Sequence, residues 1–308
     1  MAFTAKDVAA LREKTGCGMM DCKKALTETD GDMEKAIDFL REKGLAAAAK
    51  KASRIAAEGT VYTASENGVA VVIEVNAETD FVAKNVDFMD FVALCAKTVI
   101  AENPADVEAL LAVKAFGTEN TVQEVLTEKI QTIGENIKIR RFERYEGITD
   151  TYVHAGGKIG VLTKFATSAE IAAKPEFAEF AHNISMQIAA LNPLYLNDAA
   201  VPAEVIEKEK EIAAEQLKND PKNANKPANI IEKIVTGKIG KYFEEVCLVN
   251  QVYVIDSDLK VSQYVANTAK ALGGDIAIEG FVRFEKGEGL QKREDDFAAE
   301  VAKMAGTN

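Results

Sequence analysis

The sequence predicts an α+β protein with an N-terminal three-helix bundle, a core of two duplicated antiparallel-sheet-plus-helix subdomains, an inserted helical hairpin and a C-terminal helix. Three observations support this prediction. Short amphipathic segments fill residues 1–54. A strand–strand–helix pattern then occurs twice, and such internal repetition indicates a duplicated structural unit. A polar pair of helical segments follows the second copy.

The N-terminal region reads as three short helices. Thr4 and Asp7 form a capping box at the start of the first helix, and TGCG at 15–18 ends it. The third helix, MEKAIDFLREKG, is expected to end at Gly44 and to be followed by a linker with basic residues. Its predicted buried side chains are Met33, Ile37 and Leu40.

The duplication is clearest in the two long helices of the core. Phe177 stands 89 positions after Phe88, and the same shift keeps every apolar position apolar and repeats the Asn-Pro terminator. Upstream, the run VAVVIEV at 69–75 alternates as a half-buried strand requires. A third strand is predicted at 137–147, and a similar strand lies near the C-terminus.

These patterns predict four regions. A projecting pair of antiparallel helices is predicted after Pro202, with the sequences AEVIEKEKEIAAEQLKND and ANIIEKIVTGKIGKYFEEV. A final helix is predicted at DDFAAEVAKM. The apolar stripe of the pair is thin: Val205, Ile212 and Leu217 face Ile230 and Ile234. The predicted regions are the three-helix domain and linker 1–54, the core N-subdomain 55–140, the core C-subdomain 141–285 with the hairpin insertion 198–247, and the C-terminal helical module 286–308.

Composition narrows the classes of function. A net charge of −12 and a pI near 4.9 disfavour direct binding to nucleic acid or to an anionic membrane, and favour a protein partner. The four cysteines lack metal-ligand spacing and there are only two histidines, so we expect no metal, no cofactor and no catalytic residues. No apolar leader or 18-residue apolar run is present, which predicts a soluble, cytoplasmic protein.

The segment AETDFVAKN at 77–85 is the strongest candidate site. It places Asp80 and Phe81 between a strand and a helix, where the second copy has Ala169 and Glu170. Either Phe81 is an exposed side chain that a partner buries, or it fills the core while Thr79 caps a helix whose positive end favours Asp80. Spacing alone favours the core interpretation.

Three other motifs have weaker support. GGKIG at 156–160 lacks the glycine and hydroxyl positions of a phosphate-binding loop and is better explained as a hairpin turn. His154, beside that turn, reads as a surface residue without a nucleophile nearby. Met19 and Met20 cannot share one helical face, so at least one is expected to be exposed, and the position of the other stays open.

Four motifs closely resemble the bacterial elongation factor Ts family: LREKTGCGMMDCKKAL at 11–26, EVNAETDFVAKN at 74–85, IGENIKIRR at 133–141 and GFVRFEKGEG at 280–289. They occur in order over nearly the whole chain. Ala77 departs from the Cys or Ser more frequent in that family. The resemblance implies a ubiquitin-associated-like (UBA-like) N-terminal domain and an activity as guanine nucleotide exchange factor for elongation factor Tu. Such an exchange factor is not an enzyme, because it makes and breaks no covalent bond.

The resemblance also implies which residues contact the partner. Asp80 and Phe81, flanked by Thr79 and Val82, would enter the GTPase domain of elongation factor Tu near its magnesium and phosphate site. The partner would be both the GDP-bound and the nucleotide-free form, and 1:1 and 2:2 assemblies stay open. The other implied contact residues are Arg12, Met19, Met20, Lys23, Ile133, Gly134, His154, Val254 and Ile255.

Two functions from other classes compete with this one. The chain could be a ubiquitin-associated-type adaptor if only residues 1–54 carried the function, but the unduplicated Asp80-Phe81 pair in the core argues against that. It could also be a small phosphotransfer enzyme that uses GGKIG and His154. Nucleotide binding by the isolated protein separates the enzyme from the exchange factor.

Overall fold

The computed structural model describes residues 3–15, 17–220 and 226–291, which form helices and two three-stranded antiparallel sheets. The strands are β1 (Glu58–Glu66), β2 (Val69–Ala77), β3 (Lys138–Glu146), β4 (Ile148–His154), β5 (Ile159–Ala166) and β6 (Ala277–Glu285). The helices are α1 (Ala5–Thr15), α2 (Met19–Glu28), α3 (Met33–Lys51), α4 (Val86–Glu102), α5 (Val107–Ala112), α6 (Val122–Ile133), α7 (Ala169–Ala172), α8 (Pro175–Leu191), α9 (Ala203–Asn219), α10 (Ala228–Val246) and α11 (Val261–Leu272).

Helices α1, α2 and α3 pack around a small core that includes Leu11, Leu26 and Leu40. The predicted end of the third helix at Gly44 is wrong, because α3 continues to Lys51 through a run of alanines, the best helix formers. Gly44 is buried against α6, where a Cβ would stand 2.5 Å from Gln131 Oε1. Half of the predicted linker is therefore a helix docked on the core. The UBA-like character of the bundle stays a prediction.

The first sheet has the order β1-β2-β3, and α4 packs on one of its faces. The prediction of a half-buried β2 is wrong, since both faces of this strand are buried. Val71, Ile73 and Val75 lie in the core beneath α4, whereas Ala70 and Val72 pack on the second sheet. Both faces are buried because the second sheet covers what would otherwise be the solvent side.

The second sheet, β4-β5-β6, repeats the first and shows that the duplication extends further than the sequence pattern indicated. Helices α4 and α8 each have 17 residues, and their caps Asn103 and Asn192 share a left-handed backbone with φ of 47°. Helices α6 and α11 each have 12 residues and end at the left-handed glycines Gly134 and Gly273. The sequence patterns did not predict α11.

The spacing of these caps locates the insertion. Asn192 follows Asn103 by 89 positions, whereas Gly273 follows Gly134 by 139, so the second copy has gained 139 − 89 = 50 residues between its two helices. The predicted insertion 198–247 has that length. The predicted boundary between the two core subdomains, after residue 140, falls inside β3. This strand pairs with β2 up to Glu146, so all of it belongs to the first sheet.

Helices α9 and α10 form the predicted antiparallel hairpin. Leu217 is buried as expected, but Ile212 and Ile230 are exposed, which corrects the predicted stripe. The buried stripe of α9 contains Ala213, one turn before Leu217, and Ile239 is its buried counterpart on α10. The final helix DDFAAEVAKM lies outside the described residues, as does most of the predicted module 286–308.

Candidate functional site

The acid–aromatic loop, defined here as residues 78–82, connects β2 to a short 3₁₀ turn (Val82–Lys84) that precedes α4. Phe81 is 81% exposed, so the core interpretation of this side chain is wrong. The amide of Val82 donates to the Thr79 hydroxyl at 3.4 Å, which makes Thr79 only a weak cap. The loop therefore presents a large apolar side chain to solvent.

Asp80 is exposed beside Phe81 and pairs with Lys84 one helical turn later, at 3.1 Å. The hydrogen bond from Lys84 holds the pKa of the Asp80 carboxyl below its ordinary value. Asp80 is therefore ionised at neutral pH. The loop carries a negative charge and an exposed ring on adjacent residues.

A second loop, the turn from α6 to β3, lies directly against the acid–aromatic loop. The carboxylate of Glu135 accepts hydrogen bonds from the amides of Glu78 and Thr79 at 3.1 and 3.0 Å, and from the Thr79 hydroxyl at 2.7 Å. Gly134, which ends α6 with φ of 90°, and Ile133 stand immediately before this glutamate. The structure thus brings together two groups of predicted contact residues, Thr79–Val82 and Ile133–Gly134.

The predicted contact residues of the bundle lie on α1 and α2. Arg12 and Lys23 are exposed, and so are both Met19 and Met20, which answers the question that the sequence left open. Cys22, Ala25 and Leu26 fill the buried face of α2. Two flexible apolar side chains are therefore exposed side by side on α2.

The remaining predicted contact residues lie in the second copy. His154, exposed at the end of β4, has its Nδ1 3.0 Å from the Tyr152 hydroxyl. Val254 and Ile255 are exposed on the loop before α11, where the Val254 amide donates to Gln187 Oε1 at 2.8 Å. Sequence reasoning missed further exposed apolar residues, whose only signal was an apolar side chain in or beside a turn. They include Leu191, Leu194 and Val252.

The hairpin-turn interpretation of GGKIG is confirmed. The segment connects β4 to β5, the Lys158 amide donates to the His154 carbonyl at 3.1 Å, and Gly157 lies against Thr60. Burial raises the pKa of the Cys95 thiol, and raises that of Cys247 to about 11, so neither thiol is a thiolate at neutral pH. Within the described ranges, no group of three or more His, Cys, Asp or Glu side chains is placed to hold a metal ion.

The fold and the site define a class: a duplicated α+β protein with an N-terminal helical bundle, in which one copy alone carries an exposed acid–aromatic loop. The family model described as elongation factor Ts matches residues 78–288. The chain belongs to the elongation factor Ts family.

Similar proteins cover almost the full chain. The elongation factor Ts of Syntrophotalea carbinolica is 52% identical over 307 residues, 99% of each chain. That of Clostridium perfringens strain SM101 is 52% identical over 309 residues, again 99% of each chain. That of Magnetococcus marinus is 48% identical over 307 residues, with the same coverage. In the described part of the chain, every helix is too short or too polar to cross a membrane.

Proposed function

We propose that this protein is a guanine nucleotide exchange factor for elongation factor Tu that promotes GDP release during translation elongation in the cytoplasm. The observation that carries the proposal is the exposure of Phe81, next to ionised Asp80, in a chain of the elongation factor Ts family. The partner is elongation factor Tu in its GDP-bound and nucleotide-free forms, as a 1:1 or a 2:2 assembly. No covalent bond is made or broken, and nucleic acid is not contacted directly.

Exchange follows from a difference in affinity between two states of the partner. A factor that binds nucleotide-free Tu more tightly than GDP-bound Tu must weaken GDP binding by the same ratio, because coupling between two ligands is reciprocal. A coupling free energy of about 5 kcal/mol corresponds to roughly four decades in the equilibrium constant. Burying one phenylalanine contributes about 1.5–3 kcal/mol. The remaining coupling must come from a broader surface.

In this proposal, some exposed residues bind the partner and others disturb its nucleotide site. Met19 and Met20 on the bundle, with Val254 and Ile255 on the second copy, are exposed apolar side chains that would hold the complex together. Phe81 would then wedge into the GTPase domain near its magnesium and phosphate site. A nucleotide is held there by charge and by aligned donors, so displacing the local structure releases it. Asp80 would add a negative charge that opposes the phosphates.

The direct test is stopped-flow release of a fluorescent GDP from elongation factor Tu at increasing concentrations of this protein. We expect the release rate to rise strongly and to saturate, while the isolated protein binds no nucleotide. An unchanged release rate would contradict exchange activity. Nucleotide binding by the protein alone would instead favour the phosphotransfer enzyme.

Two phenylalanine variants test the role of Phe81. Phe81→Ala should lower the saturating release rate by about 10- to 100-fold, the equivalent of the buried ring. Phe116→Ala is the matched control: this ring is 51% exposed and lies before α6, at the helix end opposite Gly134. Equal rates for the two variants would exclude Phe81 as the wedge.

A further inference from the structure

We propose that Glu135 is a positioning residue that holds the acid–aromatic loop in the orientation needed for exchange. The inference rests on the proposed function, because it concerns how the same loop is presented. Glu135 lies inside the motif IGENIKIRR, but its hydrogen bonds to the acid–aromatic loop do not follow from that motif.

Glu135 satisfies the backbone at the start of the loop. Its Oε2 accepts from the Glu78 and Thr79 amides, and its Oε1 accepts from the Thr79 hydroxyl. Charge-assisted bonds of this kind are stronger than those between neutral groups. Two consecutive peptide units are thereby fixed immediately before Asp80 and Phe81.

A reciprocal set of bonds closes the two loops against each other. Glu78 Oε1 accepts from the Asn136 amide at 2.6 Å and from Arg54 Nη1 at 3.3 Å. The Asn136 side chain donates in turn to the Arg54 carbonyl at 2.7 Å. Each loop contributes a carboxylate that binds backbone amides of the other, so neither can rotate without breaking several bonds.

The second copy has the two corresponding loops but lacks the carboxylate that joins them. Gly274 stands at the position of Glu135, because each follows the left-handed glycine that ends its helix. Glycine has no side chain to bind the facing loop, and a Cβ at Gly274 would lie 2.7 Å from Ile171 Cδ1, so the end of the isoleucine would have to move to admit one. Ser168, in place of Thr79, caps the Ile171 amide at 3.2 Å as an ordinary helix start. An open cavity of about 550 Å³ lies between these two loops.

Glu135 and the exposed ring of Phe81 are therefore found together in the first copy, and the second copy lacks both. An exposed Phe81 has little packing to orient it, and the conformation of the preceding backbone determines where the ring points. Pre-organising that backbone removes an ordering cost that would otherwise be incurred on binding. Glu135 supplies this order from outside the loop.

The experiment compares GDP release from elongation factor Tu by four full-length proteins: wild type, E135A, E135Q and the control E143A. Glu143 is an exposed carboxylate on β3 and should tolerate alanine without change. We expect E135A to lower the saturating release rate on the order of tenfold, by restoring that ordering cost. E135Q, which keeps one acceptor oxygen, should fall between E135A and wild type.

A double variant separates positioning from a general loss of stability. If Glu135 acts through Phe81, E135A added to F81A should produce no further loss of rate. A double variant slowed by the product of the two single effects would overturn the proposal, since Glu135 would then act independently. Should alanine lower overall stability, E135Q in the F81A background gives the same test at nearly unchanged volume.

Amide hydrogen exchange of the free protein provides a readout besides activity. The Glu78 and Thr79 amides should be protected in the wild type and exchange at least tenfold faster in E135A. Unchanged protection overturns the proposed tether. A wild-type protein that leaves GDP release unaltered refutes the proposed function, whereas wild-type acceleration with a fully active E135A refutes the role of Glu135 alone.

Discussion

Glu74 joins the two halves of the core through a buried charge, and replacing it with glutamine should destabilise the fold. Its side chain is 0% exposed, and its Oε1 and Oε2 pair with Arg140 at 3.0 Å and with Arg141 at 2.7 Å. Glu74 Oε1 also accepts the Gly287 amide at 2.8 Å, beyond the end of β6. The carboxylate thus connects β2 and β3 of the first sheet to the strand that completes the second.

The magnitude follows from what remains after the substitution. Glutamine keeps the volume and one acceptor but leaves Arg140 and Arg141 without their shared anion. Breaking a fully buried ion pair costs about 3–5 kcal/mol. The two arginines are 24% and 29% exposed and so retain some hydration, and Arg141 also keeps its pair with Glu288 at 3.2 Å. We therefore expect E74Q to lower the free energy of unfolding by about 2–3 kcal/mol at pH 7.

The effect should depend on pH in a defined direction. Burial acts to raise the pKa of Glu74, but the hydrogen bonds that its carboxylate accepts outweigh burial and hold the pKa below its ordinary value. A lowered pKa in the folded state stabilises the protein above the unfolded pKa of about 4.3. That stability is lost as the pH falls through the folded pKa. The difference between wild type and E74Q should therefore be largest near pH 7 and shrink below about pH 4.3.

Urea unfolding followed by circular dichroism, repeated between pH 7 and pH 3, measures this difference. Glu143→Gln is the matched control, because this carboxylate lies on β3 and is exposed. It should change stability by less than about 0.5 kcal/mol. An E74Q variant as stable as wild type at pH 7, or a difference that grows on acidification, would refute the reasoning.

Three further substitutions have definite expected outcomes. Leu162→Ala, fully buried between the two sheets, should lower the free energy of unfolding by about 2–5 kcal/mol in urea, and a loss below about 1 kcal/mol would contradict that packing. Asp150→Asn should raise it by about 1 kcal/mol at pH 7, because burial raises the pKa of Asp150 and its Oδ2 lacks a hydrogen-bond partner among the described residues. The gain should grow as the pH rises from the unfolded pKa of about 3.9 to the raised folded pKa, and it should vanish at low pH, where the carboxyl is neutral in both states; a pH-independent gain would contradict this cause. Gly157→Ala should cost more than about 1 kcal/mol in thermal unfolding, since its φ is +93° and a Cβ would clash with Thr60 Oγ1. Gly156→Ala meets no atom within 4 Å and should cost less.

The repeated helices were predictable because their apolar positions recur at a constant shift. The shift carries Phe88 to Phe177 and Asn103 to Asn192, and both asparagines adopt the same left-handed cap. The second repeated helix, α11, was not predicted, because the inserted hairpin changes the shift between the two copies for all residues that follow it. Only the caps Gly134 and Gly273, matched in the structure, reveal that pair.

Burial was harder to predict than secondary structure. The alternation of Val69, Val71, Ile73 and Val75 indicated one buried face, but Val72 on the opposite face is also apolar and meets the second sheet. Alternation identifies a strand without showing what covers its other side.

The acid–aromatic loop shows a similar limit. A phenylalanine at a helix entrance is compatible with core or surface, and only the different residues of the second copy hinted that Phe81 serves another purpose. Glu135 had a comparable signal in IGENI against LGGDI at 272–276. That signal required the shift of 139 positions to be recognised.

The central claim is that this protein prefers nucleotide-free elongation factor Tu and that Phe81 generates part of that preference. Titration calorimetry against nucleotide-free Tu and against GDP-bound Tu measures the ratio of the two dissociation constants directly. We predict a ratio of about 10³–10⁴ in favour of the nucleotide-free form. Phe81→Ala should reduce this ratio, and Phe116→Ala should leave it unchanged. Equal affinity of the wild type for the two forms would contradict the claim, because a factor without differential affinity cannot shift the nucleotide equilibrium.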